Sequence, residues 1–140
     1  DAMWRERSTL HILDVRASTT IALFGVGGLA AELQSHVYSS NYLSPADQRY
    51  LVNQGVVGDV CTVMIREDGS YRDLEINKRA TGMSPAELKL IPRRFCVVAG
   101  LAKTAPVLGA LRAGVATDLV IDDDTARAVL HRMNPGLRLI

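Results

Sequence analysis

Residues 94–133 read RFCVVAGLAKTAPVLGALRAGVATDLVIDDDTARAVLHRM, and the order of patterns in this stretch decides the fold class. Phe95-Cys96-Val97-Val98 is an unbroken apolar run closed by Gly100. Continuous runs of this kind suit a parallel strand covered on both faces. A helix follows from about Thr104 to Arg112, with Gly114 as its stop. Pro106 falls in the first turn, where a missing N–H costs nothing. Leu119-Val120-Ile121 is a second apolar run, and Asp122-Asp123-Asp124 leads into a helix over Thr125–Met133. Those acids stand at the positive end of the helix dipole. Strand, helix, strand, helix predicts a parallel sheet with right-handed crossovers. The expected class is therefore α/β: a Rossmann-like parallel sheet flanked by helices.

Upstream, Leu10, Leu13 and Ala17 share one helical face within residues 5–18, which predicts a modest amphipathic helix. Ile21-Ala22-Leu23-Phe24 reads as a buried strand running into the glycine-rich Gly25-Val26-Gly27-Gly28. Residues 29–42 carry no clear period, and Ser39-Ser40-Asn41 is turn-like. Ser44-Pro45 starts a helix, with serine as cap and proline in the first helical position, and Gly55 closes it. Val56 to Ile65 is rich in β-branched residues and reads as one strand. Glu67-Asp68-Gly69-Ser70 then predicts a hairpin turn, with Tyr71 to Ile76 returning. This β-hairpin is expected as an insertion or edge feature. Ser84-Pro85-Ala86-Glu87 has the form of a capping box opening a short helix to about Ile91.

Composition narrows the function. The 140 residues suffice for one core, and the formal net charge of +1 gives no basic field for nucleic acid. No apolar run approaches the ~20 residues needed to span a bilayer, so no membrane partner is expected and the cytoplasm is the expected location. The opening Asp1-Ala2-Met3-Trp4-Arg5 is neither an initiator methionine nor a signal peptide, and Leu137-Arg138-Leu139-Ile140 carries no ending signal. The chain is read as a piece of a larger protein. Cys61 and Cys96 lie in apolar stretches and are expected as buried free thiols. His11, His36 and His131 are scattered, without metal-ligand spacing. No cofactor and no metal are expected.

In open parallel sheets ligands sit where strand C-terminal ends meet helix N-termini, and three segments point there. Glycines at 25, 27 and 28 would let backbone N–H groups approach an anion, although the same residues serve a tight turn. They lack the full spacing of a dinucleotide fingerprint. Ala99-Gly100-Leu101-Ala102-Lys103 puts a lysine at a helix mouth, where it is either a phosphate or carboxylate anchor or a solvated surface lysine. Asp59, just inside an apolar stretch, needs donors: sugar hydroxyls, or backbone amides in a purely structural role. Asp122-Asp123-Asp124 reads as cap and dipole partners before it reads as a cation site. Arg79 reaches a ligand or braces its loop, and Arg93-Arg94 reads as a solvated strand start. No serine or cysteine nucleophile has an identifiable histidine base, and no carboxylate pair stands out as acid and base.

Several of these segments resemble a known family. Residues 77–108, NKRATGMSPAELKLIPRRFCVVAGLAKTAPVL, resemble the effector-binding domain of the SorC-type bacterial transcriptional regulators. There a segment like N-x-R-x-I-G-[IM]-S-x-x-x-L-x-x-I-P-R precedes a strand, a glycine-rich stretch with a lysine, and a helix. LVIDDDTARAVL looks like the family's L-[IV]-T-D-E-x-T-A-x-x-[LI]-L. Gly25-Val26-Gly27, Tyr42-Leu43-Ser44 and Val57-Gly58-Asp59-Val60-Cys61 are similar to further family segments in the same order, so the match runs from about Arg5 to Leu130.

The resemblance implies a fold like that of ribose-5-phosphate isomerase and glucosamine-6-phosphate deaminase, used as a sensor rather than an enzyme. It implies a sugar-phosphate effector, a homo-oligomer (dimer or tetramer), and DNA contact only through a helix-turn-helix outside residues 1–140. The first half of the effector domain is likewise expected outside them. By the same resemblance Gly25, Val26, Gly27 and Gly28 line the effector loop, Asp59 contacts hydroxyls, and Gly100 and Lys103 lie by the phosphate. The sequence departs from the family at Ala99-Gly100-Leu101 (not Gly-Gly), at Thr20 (an aspartate in the family) and at Ile121 and Asp123. An isomerase-like enzyme and an oligomerisation module with a dead pocket are the alternatives.

Overall fold

Residues 5–29, 36–40 and 42–136 are described by the computed structural model, His36 and Ser39 for backbone only. Among them six strands form two three-stranded sheets. The helices are α1 (Arg7–Ala17), α2 (His36–Ser39), α3 (Pro45–Asn53), α4 (Pro85–Leu88), α5 (Thr104–Arg112) and α6 (Asp123–Met133). The strands are β1 (Ile21–Phe24), β2 (Val26–Gly28), β3 (Val56–Val60), β4 (Val63–Arg66), β5 (Arg93–Val98) and β6 (Asp118–Ile121). Short 3-10 turns occupy Glu75–Arg79 and Leu101–Lys103. The expectations for Asp1–Trp4, for Asn41 and for residues 137–140 lie outside the described residues.

The stretch that decides the class folds as its pattern requires. β5 pairs in parallel with β1 on one side and β6 on the other, giving the order β1-β5-β6. α5 and α6 pack on one face, where Phe24, Cys96 and Val98 meet Val107, Ala110 and Val129. The other face is open. Leu23 is 75% exposed and Val97 44%, with Ile21 and Val120 also exposed. The run Phe95–Val98 is therefore covered on one face only among the described residues, not on both. Arg93 stacks over the Phe95 ring on that open face and pairs with Asp118 across to β6. α1 buries none of its residues, so the expected amphipathic face finds no core here.

The second sheet has the antiparallel order β2-β3-β4. The predicted single strand 56–65 is two strands, because the chain reverses at Cys61-Thr62; the expected turn at 67–70 also forms, with Gly69 N–H donating to Arg66 O and Arg66 N–H to Ser70 O. Cys61 and Thr62 both hold left-handed backbone, φ 50° and 70°. A two-residue hairpin turn of this hand needs φ > 0 twice, at a cost of roughly 1–2 kcal/mol each for non-glycine residues. Gly82 packs against this turn so closely that a Cβ would lie 1.7 Å from the Cys61 carbonyl oxygen. The predicted returning strand at 71–76 is absent. The Asn77 side chain takes its place at the β4 edge: its amide nitrogen donates to Met64 O and its oxygen accepts from Met64 N–H, at 2.9 and 2.8 Å.

α5 joins the two sheets. Pro106 to Ala110 are all buried, the burial expected of a helix apolar all round. Its approach to the antiparallel sheet depends on two glycines. A Cβ at Gly58 would lie 2.0 Å from Gly27 O and 2.9 Å from Pro106 Cβ, and one at Gly109 would lie 2.5 Å from Arg66 O. A second cluster, including Tyr38, Leu43, Leu51, Met64 and Leu74, fills the opposite face of that sheet. Both cysteines are free thiols: Cys96 is buried, but Cys61 only partly, since it sits in the hairpin turn.

Two outcomes follow. Gly58→Ala costs about 1–3 kcal/mol by forced backbone displacement, whereas Gly25→Ala, whose Cβ meets only Val97 O at 3.6 Å, leaves stability nearly unchanged; urea titration of both variants measures the difference. Burial pushes the Cys96 thiol up to about 11, so a thiol reagent labels Cys61 before Cys96 in the folded protein, as peptide mapping at partial labelling reveals.

Candidate functional site

Parallel pairing places the C-terminal ends of β1, β5 and β6 along one edge, followed respectively by Gly25, Ala99-Gly100 and Asp122. The segments named from sequence as candidate sites meet here in part. Gly25 lies against the end of β5, and β2 packs beside the Leu101–Lys103 turn. The expected glycine loop is itself mostly strand: Val26, Gly27 and Gly28 pair with Val60, Asp59 and Gly58. Gly27 and Asp59 are thus direct cross-strand neighbours.

Gly100 has φ 105°, a backbone that side-chain-bearing residues rarely adopt. Its N–H donates to Asp122 Oδ2 at 2.9 Å, while Asp122 Oδ1 accepts from Thr125 N–H at 2.9 Å and caps α6. One carboxylate therefore ties the Gly100 loop to the last helix. The Thr125 side chain beside it, the Thr125 N–H and the Gly100 N–H hold the Asp122 carboxyl down to about 2. Asp122 thus takes the expected capping role and Asp123 pairs with Arg127, and no group able to hold a metal ion occurs among the described residues. Sequence reasoning missed the second task of Asp122; the signal available was an acid ending one parallel strand beside a glycine ending its neighbour.

Lys103 stands at the boundary between the 3-10 turn and α5. Its N–H donates to Gly100 O at 2.8 Å, which fixes the backbone. Its side chain is half-buried, and its ammonium has no ion-pair or hydrogen-bond partner among the described residues. Other cations of α5 and α6 are paired: Arg112 and Arg132 with Glu67, Arg127 with Asp123.

Two site residues stand differently from expectation. Val26 is a core side chain, packed with Val60 in the cluster under α5, so only its backbone can face a ligand. Asp59 is 5% exposed. It pairs with Met64 across the hairpin. Paired residues share a face, so its carboxylate lies with Met64 and Tyr38 in the second cluster, on the far side of the sheet from α5. Asp59 Oδ2 accepts from Thr62 N–H at 3.1 Å. Burial, then the Asp59 charge, raise both Tyr38 and Cys61 above their ordinary values. Asp59 and Lys103 thus belong to one neighbourhood but opposite faces of the antiparallel sheet.

Beside Asp59, on its own face, opens a cavity of about 450 Å³, floored by Leu43, Met64 and Ile76 and edged by Tyr42, Thr62 and Thr81. Arg79 lines it too, held by two hydrogen bonds to Asp47 at 3.0 and 3.3 Å. Arg79 therefore braces the loop to α3, where Asp47 also completes a capping box with Ser44. Arg94 is not a solvated strand start: its guanidinium donates to the Val115 and Ile91 carbonyls.

These features define a two-sheet α/β module with a glycine-lysine loop at the parallel strand ends and a mostly apolar cavity on the adjoining hairpin. Residues 1–131 match the Sugar-bind family model, a sugar-binding domain. The chain belongs to this sugar-binding domain family. A solved domain of a possible sugar-binding transcriptional regulator from Arthrobacter aurescens TC1 is similar over 92% of this chain and 48% of that one, at 43% identity and TM-score 0.81. The full-length sorbitol operon regulator SorC from Klebsiella pneumoniae shares the fold over 92% of this chain and 41% of its own, at TM-score 0.80 and 21% identity. The Deoxyribonucleoside regulator of Bacillus subtilis (strain 168) is 29% identical over 127 residues, 91% of this chain and 40% of that protein. The chain thus spans half or less of the length of these relatives, which is consistent with a partial domain. Among the described residues no helix is long and apolar enough to cross a membrane.

The Asp122 link gives a pH-dependent outcome. Its folded-state pKa lies below the unfolded value, so its contribution is complete above about pH 4 and is lost as pH falls through about 2. Asp122→Ala removes that acid-limb contribution and speeds hydrogen exchange of the Gly100 and Thr125 amides at neutral pH, as exchange monitored by NMR measures.

Proposed function

We propose that this chain is part of the effector-sensing domain of a bacterial transcriptional regulator, and that it binds a phosphorylated sugar without transforming it. Three things support the reading: the family membership, the regulators among its relatives, and the geometry of the Gly100–Lys103 loop. The observation that carries it is Lys103. A half-buried lysine with no side-chain partner among the described residues, beside a glycine loop and at the mouth of α5, suits an anionic group. Gly25, Gly27 and Gly28 supply backbone close by, and Asp59, the cross-strand neighbour of Gly27, is assigned the sugar hydroxyls in this reading. DNA is contacted by a separate helix-turn-helix, in the cytoplasm, with effector binding shifting its equilibrium between two states.

The remainder of the sensor domain belongs to a longer polypeptide, and the working regulator is a homo-oligomer. The open face of the parallel sheet supports this part, since Ile21, Leu23, Val97 and Val120 form an apolar surface of the kind that a further layer or a second copy covers.

Thermal unfolding with a panel of sugar phosphates tests the reading. A ligand at a hundred times its Kd stabilises by about 2.7 kcal/mol, seen as a rise in melting temperature. Saturable stabilisation that Lys103→Ala abolishes, with no product formed, is the expected result. Turnover of any sugar phosphate, or stabilisation unaffected by Lys103→Ala, contradicts it.

A further inference from the structure

One carboxylate holds two backbone amides that differ in their surroundings. Asp122 Oδ2 accepts from Gly100 N–H at 2.9 Å, and Oδ1 accepts from Thr125 N–H at 2.9 Å. Gly100 is exposed, and a Cβ built on it meets nothing within 4 Å. Thr125 is 0% exposed. A ligand or water can therefore replace the carboxylate at Gly100, whereas the Thr125 amide finds no replacement unless the start of α6 moves.

The Gly100 amide is also a donor that an anion at this loop would take. It follows the end of β5, its residue has φ 105°, and Lys103 closes the turn after it. Asp122 already fills that place. Asp123 is paired with Arg127, but Asp122 has no cation partner among the described residues. Its charge rests on the two amides and on the Thr125 side chain. A second anion at Gly100 meets this like charge, and one N–H does not serve both well.

A carboxylate is one rigid plane. Withdrawing Oδ2 from Gly100 turns Oδ1 against the Thr125 N–H, so α6 loses its cap in the same movement. The helix has 11 residues and spans about 16 Å. In its last turn Arg132 bonds Glu67, which also pairs with Arg112 of α5.

We infer that Asp122 is an internal competitor for the anion at Gly100, that a ligand taking the Gly100 amide displaces it, and that its departure uncaps α6. The competition rests on the anion proposed for the Gly100–Lys103 loop, and it supplies the route by which occupancy of that loop reaches α6 and Glu67. The coupling is reciprocal: a change that releases Gly100 from Asp122 strengthens the anion.

Titration with inorganic phosphate, followed by NMR shifts and amide hydrogen exchange, tests this on the wild-type chain, Asp122→Asn and Asp122→Ser. Asp122→Asn removes the charge and one of the two accepting oxygens. Asp122→Ser keeps a capping oxygen for Thr125 but reaches one bond less far toward Gly100. In the wild type, phosphate is expected to speed exchange of the Thr125 amide and to move the Arg132 Nε resonance. Both variants bind phosphate about tenfold more tightly, read from the Gly100–Lys103 shifts. In Asp122→Ser, exchange at Thr125 no longer responds to phosphate. A merely structural Asp122 gives equal or weaker binding when it is replaced. Equal or weaker binding by either variant, or wild-type Thr125 exchange that ignores bound phosphate, overturns the competition, while phosphate shifts that Lys103→Ala abolishes still uphold the anion. If phosphate moves nothing from Gly100 to Lys103 in any of the three chains, the anion and its competitor fall together.

Discussion

The close approach of α5 to the antiparallel sheet is the constraint on which the architecture depends. Gly58 and Gly109 leave no room for a Cβ against Gly27, Pro106 and Arg66, so helix and sheet meet almost backbone to backbone. That contact sets where α5 begins, and its beginning sets where Lys103 stands. On its other side α5 covers β5 and its neighbours, with Val107 and Ala110 packed among Phe24, Cys96 and Val98. A single buried helix thus fixes the parallel strand ends, the glycine strand β2 and the hairpin β3–β4 relative to one another. Its far end is held by charge: Glu67 accepts two hydrogen bonds from Arg132, at 2.8 and 2.6 Å, while Arg112 donates to the Glu67 carbonyl.

The arrangement separates two kinds of chemistry. At the strand ends stand a glycine with φ 105°, a helix mouth and a lysine with no side-chain partner among the described residues, the arrangement proposed to hold an anion. On the far face of the hairpin lies a cavity with an apolar floor, the Thr62 and Thr81 side chains and an exposed tyrosine. β2 and β3 divide the two, and at Gly27 the dividing strand carries no side chain. Asp59 and Lys103 therefore lie on opposite faces of the antiparallel sheet.

Much of this was legible in the sequence where short-range patterns decide the outcome. The order β5-α5-β6-α6 follows from two apolar runs, Pro106 and Gly114, and the capping boxes at Ser44 and Ser84 mark their helices. The hairpin turn was not legible. Cys61-Thr62 has none of the glycine, asparagine or aspartate that usually accompanies such a backbone, and its geometry rests on Gly82, far along the chain. Asn77 was equally hidden, because a side chain imitating a strand leaves no periodic trace. The face of Asp59 depended on the register against Met64, and that register follows from the turn. The open face of the parallel sheet was misjudged for another reason: an apolar run reports a capacity to be covered, not the presence of the cover.

The most direct measurement of the central claim is the side-chain ammonium resonance of Lys103 in nitrogen-labelled protein during titration with a sugar phosphate and with its unphosphorylated parent. The account predicts a saturable shift at Lys103 with the phosphorylated sugar and none with the parent. An unmoved Lys103 under a sugar phosphate that binds elsewhere on the chain would contradict it.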